Sequence, residues 1–222
     1  MQMIFILFAD KNLMRQHVNP LSNIFKDITP IPSLEEIFID PEKPLHIDIG
    51  CGSGRYLLEL AMQNKDWNYI GIEIRKKLVL DAKLKLKNES INNLFFAFGN
   101  ADYLIGDFIN KLSKNSLFSV SFNFPDPWFK TRHHKRRVLQ PKLIDNISQI
   151  IVFGGFIIIK SDVKELFREM EIVILKSEKF IKHKYENHEL IHSHNPNKLK
   201  TSREIYVTKK NLDIYECIYK KI

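Results

Sequence analysis

The chain has 222 residues, enough for one large domain with a complete apolar core. With 44% hydrophobic and 27% charged residues it is composed like a globular protein rather than a disordered one, and its net charge of +8 favours a polyanionic partner, nucleic acid first. Its two cysteines, Cys51 and Cys217, lack metal-ligand spacing, which argues against a disulfide framework and a zinc site, so no metal is assigned. The apolar run over residues 3–9 falls short of the roughly 20 residues that span a bilayer and has no basic flank, so neither a membrane partner nor a signal peptide is expected.

Residues 1–44 read as an irregular N-terminal arm. Pro20, Pro30, Pro32, Pro41 and Pro44 break any long element, leaving room for a short helix over 34–39. From Leu45 the pattern changes. Runs rich in β-branched and aromatic residues at 46–49, 69–74, 94–98, 118–124 and 156–160 alternate with helical periodicity at 55–64, 76–89, 103–112, 139–151 and 162–175. Gly154-Gly155 reads as the stop of the fourth of these helices, and two more strands are expected over 180–186 and 212–219. The alternation predicts one α/β domain over 45–222, with a mostly parallel central sheet and helices on both faces. Ligands of such sheets sit beyond the C-terminal strand ends, so the residues that follow each strand are the ones to inspect.

The first strand ends in Asp48-Ile49-Gly50-Cys51-Gly52-Ser53-Gly54. Alternate glycines, Gly50 and Gly52 first, permit a tight turn and close backbone approach to a ligand. The spacing is G-x-G-x-G, not the dinucleotide pattern, and Asp48 would repel a pyrophosphate while attracting an ammonium. Glu73 ends the second strand, where a carboxylate can accept both hydroxyls of a ribose. Together these describe a pocket for S-adenosyl-L-methionine, with Asn100, after the third strand, suited to an adenine edge. The fourth strand runs into Asn123-Phe124-Pro125-Asp126-Pro127-Trp128-Phe129-Lys130, whose two prolines stiffen the chain and hold Asp126 and Trp128 at the pocket mouth, where an aromatic ring and a carboxylate suit a nucleobase. Next comes Lys130-Thr131-Arg132-His133-His134-Lys135-Arg136-Arg137. A run so charged is expected on the surface, and Arg132, Lys135, Arg136 and Arg137 are candidates for phosphate contact.

The run from Phe124 to Arg137, F-P-D-P-W-F-K-T-R-H-H-K-R-R, resembles the signature of the tRNA (guanine-N7-)-methyltransferases, and the resemblance extends from Leu45 to the C-terminus. Arg15-Gln16-His17-Val18-Asn19-Pro20 also looks like bacterial, especially cyanobacterial, members. The resemblance implies a class I S-adenosylmethionine-dependent methyltransferase (Rossmann-like) fold. It implies methyl transfer from S-adenosyl-L-methionine to N7 of a guanine in tRNA, guanosine 46 of the variable loop. By the same resemblance the cofactor acids fall on Asp48 and Glu73 and the adenine-side residue on Asn100. Asp126 then belongs to the cofactor site and the catalytic site, and substrate contacts come from Lys130, Asp162 and Thr201-Ser202-Arg203-Glu204. Gly54 stands at a position that varies in the family. Local chemistry offers Ser161 and Asp162 as helix N-caps and Thr201 with Glu204 as a capping box.

Guanine N7 presents an in-plane lone pair and loses no proton on attack, so Asp126 is expected to position groups rather than act as a base. Two competing readings stand beside this one. The first is a methyltransferase acting on another RNA or on an exocyclic amine. The second is a non-catalytic RNA-binding module, which the presence of Asp48, Glu73 and Asp126 disfavours. Monomer and homodimer are both compatible with the sequence, as are a bacterial cytoplasm and a plastid stroma.

Overall fold

The computed structural model describes residues 18–25, 30–89, 91–109, 111–112, 116–183 and 193–222. The apolar run at 3–9 and Arg15, Gln16 and His17 lie outside them. Strands β1 (Leu45–Ile49), β2 (Asn68–Glu73), β3 (Leu94–Phe98), β4 (Leu117–Asn123) and β5 (Ile151–Ser161) alternate with helices α2 (Arg55–Gln63), α3 (Lys76–Lys87), α4 (Ala101–Phe108) and α5 (Pro141–Ile150). Helix α1 (Leu34–Ile37) precedes them, and α6 (Lys164–Lys176), β6 (Phe180–Lys182), α7 (Ser202–Lys209) and β7 (Tyr215–Lys221) complete the chain.

The seven strands form one sheet in the order β3-β2-β1-β4-β5-β7-β6. Strands β1 to β5 are parallel, and β7 runs antiparallel to both β5 and β6. Strand order reverses between β1 and β4, which opens a crevice at their C-terminal ends. The alternation of side chains along each strand feeds two cores. Ile70 and Ile72 of β2 join the cluster under α4, α5 and α6, whereas Tyr69 joins Trp67, Leu57 and Val79 under α2 and α3. Helices therefore cover both faces.

The described part of the arm packs on this domain. Ile31, Leu34 and Phe38 belong to the larger core, and Phe25, 1% exposed, lies against Phe98 with ring centroids 6.1 Å apart.

Several boundaries differ from the sequence reading. Helix α5 ends at Ile150, and Gly154-Gly155 lies inside β5 rather than stopping a helix. Leu117 pairs with Ile151 but Ser119 pairs with Phe156, so β5 carries an extended bulge there. Gly154 takes φ +79, and a Cβ on Gly155 would lie 2.9 Å from the Phe118 carbonyl oxygen, so the glycines serve the bulge. Helix α4 starts two residues before the expected Tyr103, because Asn100 caps it, the side-chain oxygen accepting from the Asp102 amide at 2.9 Å. The last strand begins at Tyr215, not Leu212. The sixth strand ends at Lys182, short of His183, and the rest of the expected extension, residues 184–186, lies outside the described residues. Among the described residues no helix is long and apolar enough to cross a membrane.

Candidate active site

A cleft opens where the topology directs it. Gly50 from the β1–α2 turn, Glu73 and Arg75 after β2, Asn100 after β3, and Asp126 and Trp128 after β4 all line it. Val18, Pro20 and Leu21 of the arm add a wall. The glycine turn is set by the backbone: Gly50 and Cys51 both donate to the Ile72 carbonyl, at 2.8 and 3.1 Å, and Gly50, Gly52 and Gly54 all have positive φ. Gly54 is fixed sterically as well, since a Cβ there would lie 2.5 Å from the Phe96 ring.

Asp48 sits beneath this turn, 3% exposed. Its Oδ1 accepts from Ser121 Oγ at 2.6 Å and from Asn123 Nδ2 at 2.9 Å. Burial raises its carboxyl from 3.8 to about 6, against the lowering effect of those two bonds, and the charge of Glu73 adds to the rise. The chain of bonds runs deeper. Because Ser121 gives its proton to Asp48, it accepts from His46 Nε2 at 3.1 Å, and His46 Nδ1 then accepts from Ser119 Oγ at 2.7 Å. This assignment requires a neutral imidazole, and burial does hold His46 well below its ordinary value. The ring stacks on His194, centroids 4.3 Å apart.

Glu73, 2% exposed, has its carboxylate filled by the protein's own donors. Oε2 accepts from the Gly52 amide at 2.9 Å and from Arg75 Nη2 at 3.1 Å; Oε1 accepts from the Arg75 amide at 3.0 Å and Nε at 2.9 Å. A carboxylate offers about four lone-pair sites, so the expected ribose-binding edge is covered by Arg75. Sequence reasoning passed over Arg75; a cation two residues beyond the strand-end acid was the available signal. Asn100 is similarly engaged. Besides capping α4, it donates through Nδ2 to the Pro20 carbonyl at 2.9 Å, and so ties the arm over the cleft.

The basic run divides. Thr131–Arg136 is a 3-10 segment, with Arg132 and Lys135 exposed and Arg136 half-buried, its guanidinium 5.2 Å from the Trp128 ring centroid. Arg137 does not face solvent. It is 6% exposed, donates to the Pro127 carbonyl at 2.7 Å, and pairs with Glu169 on α6, with Glu165 3.9 Å away. The expectation that it is free for phosphate is corrected: its donors tie the Pro-Asp-Pro loop to α6. His134, Glu165 and Glu169 bring three ligand atoms within 4.8 Å of one another, but the cation among them is Arg137.

Asp162 and the 201–204 stretch, 41 residues apart at their ion pair, meet at the end of β5. Arg203 Nη2 lies 2.5 Å from Asp162 Oδ2, and Lys160 Nζ lies 3.4 Å from both carboxylate oxygens of Glu204. Thr201 caps α7, its Oγ1 accepting from the Glu204 amide at 3.1 Å. The second half of a capping box is replaced by the pairing of Glu204 with Lys160. The N-cap position of α6 is Val163 rather than Ser161 or Asp162, and its amide donates to Ser161 Oγ at 3.0 Å. Ser202 opens α7, and Lys130 is exposed beside the 3-10 segment.

A family model described as "Putative methyltransferase" matches residues 42–217. A protein of Prochlorococcus marinus subsp. pastoris named tRNA (guanine-N(7)-)-methyltransferase is 54% identical over 209 residues, 94% of this chain and 100% of its own length. The chain belongs to the tRNA (guanine-N7)-methyltransferase family. A relative of the same name from Synechococcus elongatus is 38% identical over 205 residues, 92% of this chain and 94% of its own. Two solved structures share the fold of this methyltransferase family member. An rRNA methylase from Streptococcus thermophilus has a TM-score of 0.51 at 16% identity, covering 85% of this chain and 92% of its own. The 16S rRNA methyltransferase KamB has a TM-score of 0.52 at 12% identity, covering 85% and 90%. The fold is thus the class I, Rossmann-like methyltransferase fold.

Proposed function

We propose that this protein transfers a methyl group from S-adenosyl-L-methionine to N7 of a guanine in tRNA, at guanosine 46 of the variable loop. The observation that carries the reading is that Asp126, from the loop that resembles the family signature, lines the same cleft as Gly50 and Glu73. The donor set suits the cofactor. A buried carboxylate, Asp48, lies under the glycine turn for an ammonium; a second, Glu73, ends the next strand for a ribose diol; and both would repel a pyrophosphate. Bound there, S-adenosyl-L-methionine supplies an electrophilic methyl on a sulfonium.

The protein's own groups then bind and orient. Asp48 would hold the cofactor's ammonium, Glu73 would take its ribose once Arg75 gives way, the Asn100 end of the cleft would receive its adenine, and Asp126 would orient the two reactants. Lys130, Asp162 and the stretch Thr201-Ser202-Arg203-Glu204 stand on the acceptor side, while Arg132, Lys135 and Arg136 hold the RNA backbone. No proton leaves N7, so positioning and electrostatics carry the rate. The test is nucleoside mapping of tRNA after incubation with the protein and labelled cofactor. N7-methylguanosine at position 46 is expected; label in another base, or at another guanine, rejects the reading.

A further inference from the structure

Resting on that reading, we propose that Phe129 is a stacking platform for an unpaired RNA base next to the methylated guanine. The backbone turns at Trp128, which takes φ +45, a region that bulky L-residues avoid. The turn separates two consecutive aromatic rings. Trp128 lines the cleft, with the Arg136 guanidinium over it and His133 edge-on at 5.6 Å. Phe129 is thrown outward and is 71% exposed.

A left-handed tryptophan strains the loop, and an exposed phenylalanine leaves its ring in water. Their surroundings give them a use. Lys130, Arg132 and Lys135, all exposed, follow within six residues and match a phosphate backbone. A π-face among cations is the arrangement that holds single-stranded nucleic acid, with bases stacked and phosphates neutralised. Phe153 is more exposed, at 83%, but it sits in the β5 bulge near that strand's N-terminal end, away from the cleft. The guanine itself belongs in the cleft with Asp126, so the base that Phe129 meets is a neighbour of the target.

The test compares Phe129→Ala, Phe129→Leu and Phe129→Tyr with the parent protein on full-length tRNA. Base stacking on an aromatic residue corresponds to about a 5- to 150-fold change in affinity. Alanine and leucine should raise KM for tRNA within that range, and tyrosine should restore it to within about twofold. Cofactor affinity by calorimetry and the salt dependence of RNA binding should not move, since no charge is altered. A second arm uses a short single-stranded RNA carrying 2-aminopurine, whose fluorescence is quenched on stacking. Quenching should be lost with alanine and leucine and kept with tyrosine. A leucine variant equal to the parent in both arms, or an alanine variant within twofold of it, overturns the proposal. Absence of N7-methylguanosine with the parent protein would instead sink the tRNA reading, and the fluorescence arm would still decide for or against stacking.

Discussion

Asp48→Asn should stabilise the fold at neutral pH while weakening cofactor binding. The Asp48 carboxyl is raised from 3.8 to about 6 by burial, so at neutral pH the folded protein holds an anion that the unfolded chain solvates more readily. The protonated form favours folding. That contribution is complete below pH 4 and is lost as pH rises through about 6. The gap between 3.8 and about 6 is worth at most roughly 3 kcal/mol above pH 7. An asparagine keeps an oxygen that can accept from Ser121 and Asn123 and carries no charge. For a chain of this size the gain corresponds to a rise in Tm of about 5–10 °C. Thermal unfolding followed by circular dichroism at pH 7.5 and at pH 4 is the assay. The advantage should be full at pH 7.5 and nearly absent at pH 4. Calorimetry with S-adenosyl-L-methionine should show affinity reduced by at least about tenfold, as an ion pair to the ammonium is lost. A variant that melts at or below the parent temperature at pH 7.5 would refute the argument that Asp48 is held at the expense of stability.

Arg75→Ala should uncover the Glu73 carboxylate and tighten cofactor binding several-fold in calorimetry, because the ribose no longer displaces a guanidinium that holds both oxygens. Weaker binding would show that Arg75 helps the ligand rather than covering its site. Arg137→Met should destabilise the protein by about 1–2 kcal/mol, chiefly because it strands the Pro127 carbonyl, while Glu169, 39% exposed, is partly solvated in its place. Denaturant unfolding measures this, and an unchanged midpoint would mean that the clamp contributes nothing.

The glycine turn, the two strand-end acids and the Pro-Asp-Pro loop were legible because each is a local arrangement whose chemistry lies within a few residues. Family resemblance supplied the atom and the RNA. What sequence could not reveal was the set of partners. Arg137 looks like its neighbours in a basic run, and only the arrival of Glu169, 32 residues later, turns it inward. Asn100 suits an adenine edge by residue type, yet its amide is taken by α4 and by Pro20, 80 residues earlier. Gly154-Gly155 carries the same local signal for a helix stop as for a strand bulge, and the pairing of β5 with β4 decides between them. The ion pair of Asp162 with Arg203 depends equally on the closing of the sheet by β7 and α7.

The docking of residues 18–25 onto Asn100 and Phe98 also has a kinetic meaning. During synthesis this stretch leaves the ribosome long before β3 exists, and its partners lie up to 80 positions downstream. A contact that closes so long a loop costs more entropy while the intervening chain is unfolded, so it forms most readily once that chain has folded. The arm therefore joins the molecule late, and the cleft acquires its last wall only once the strands around it are in place.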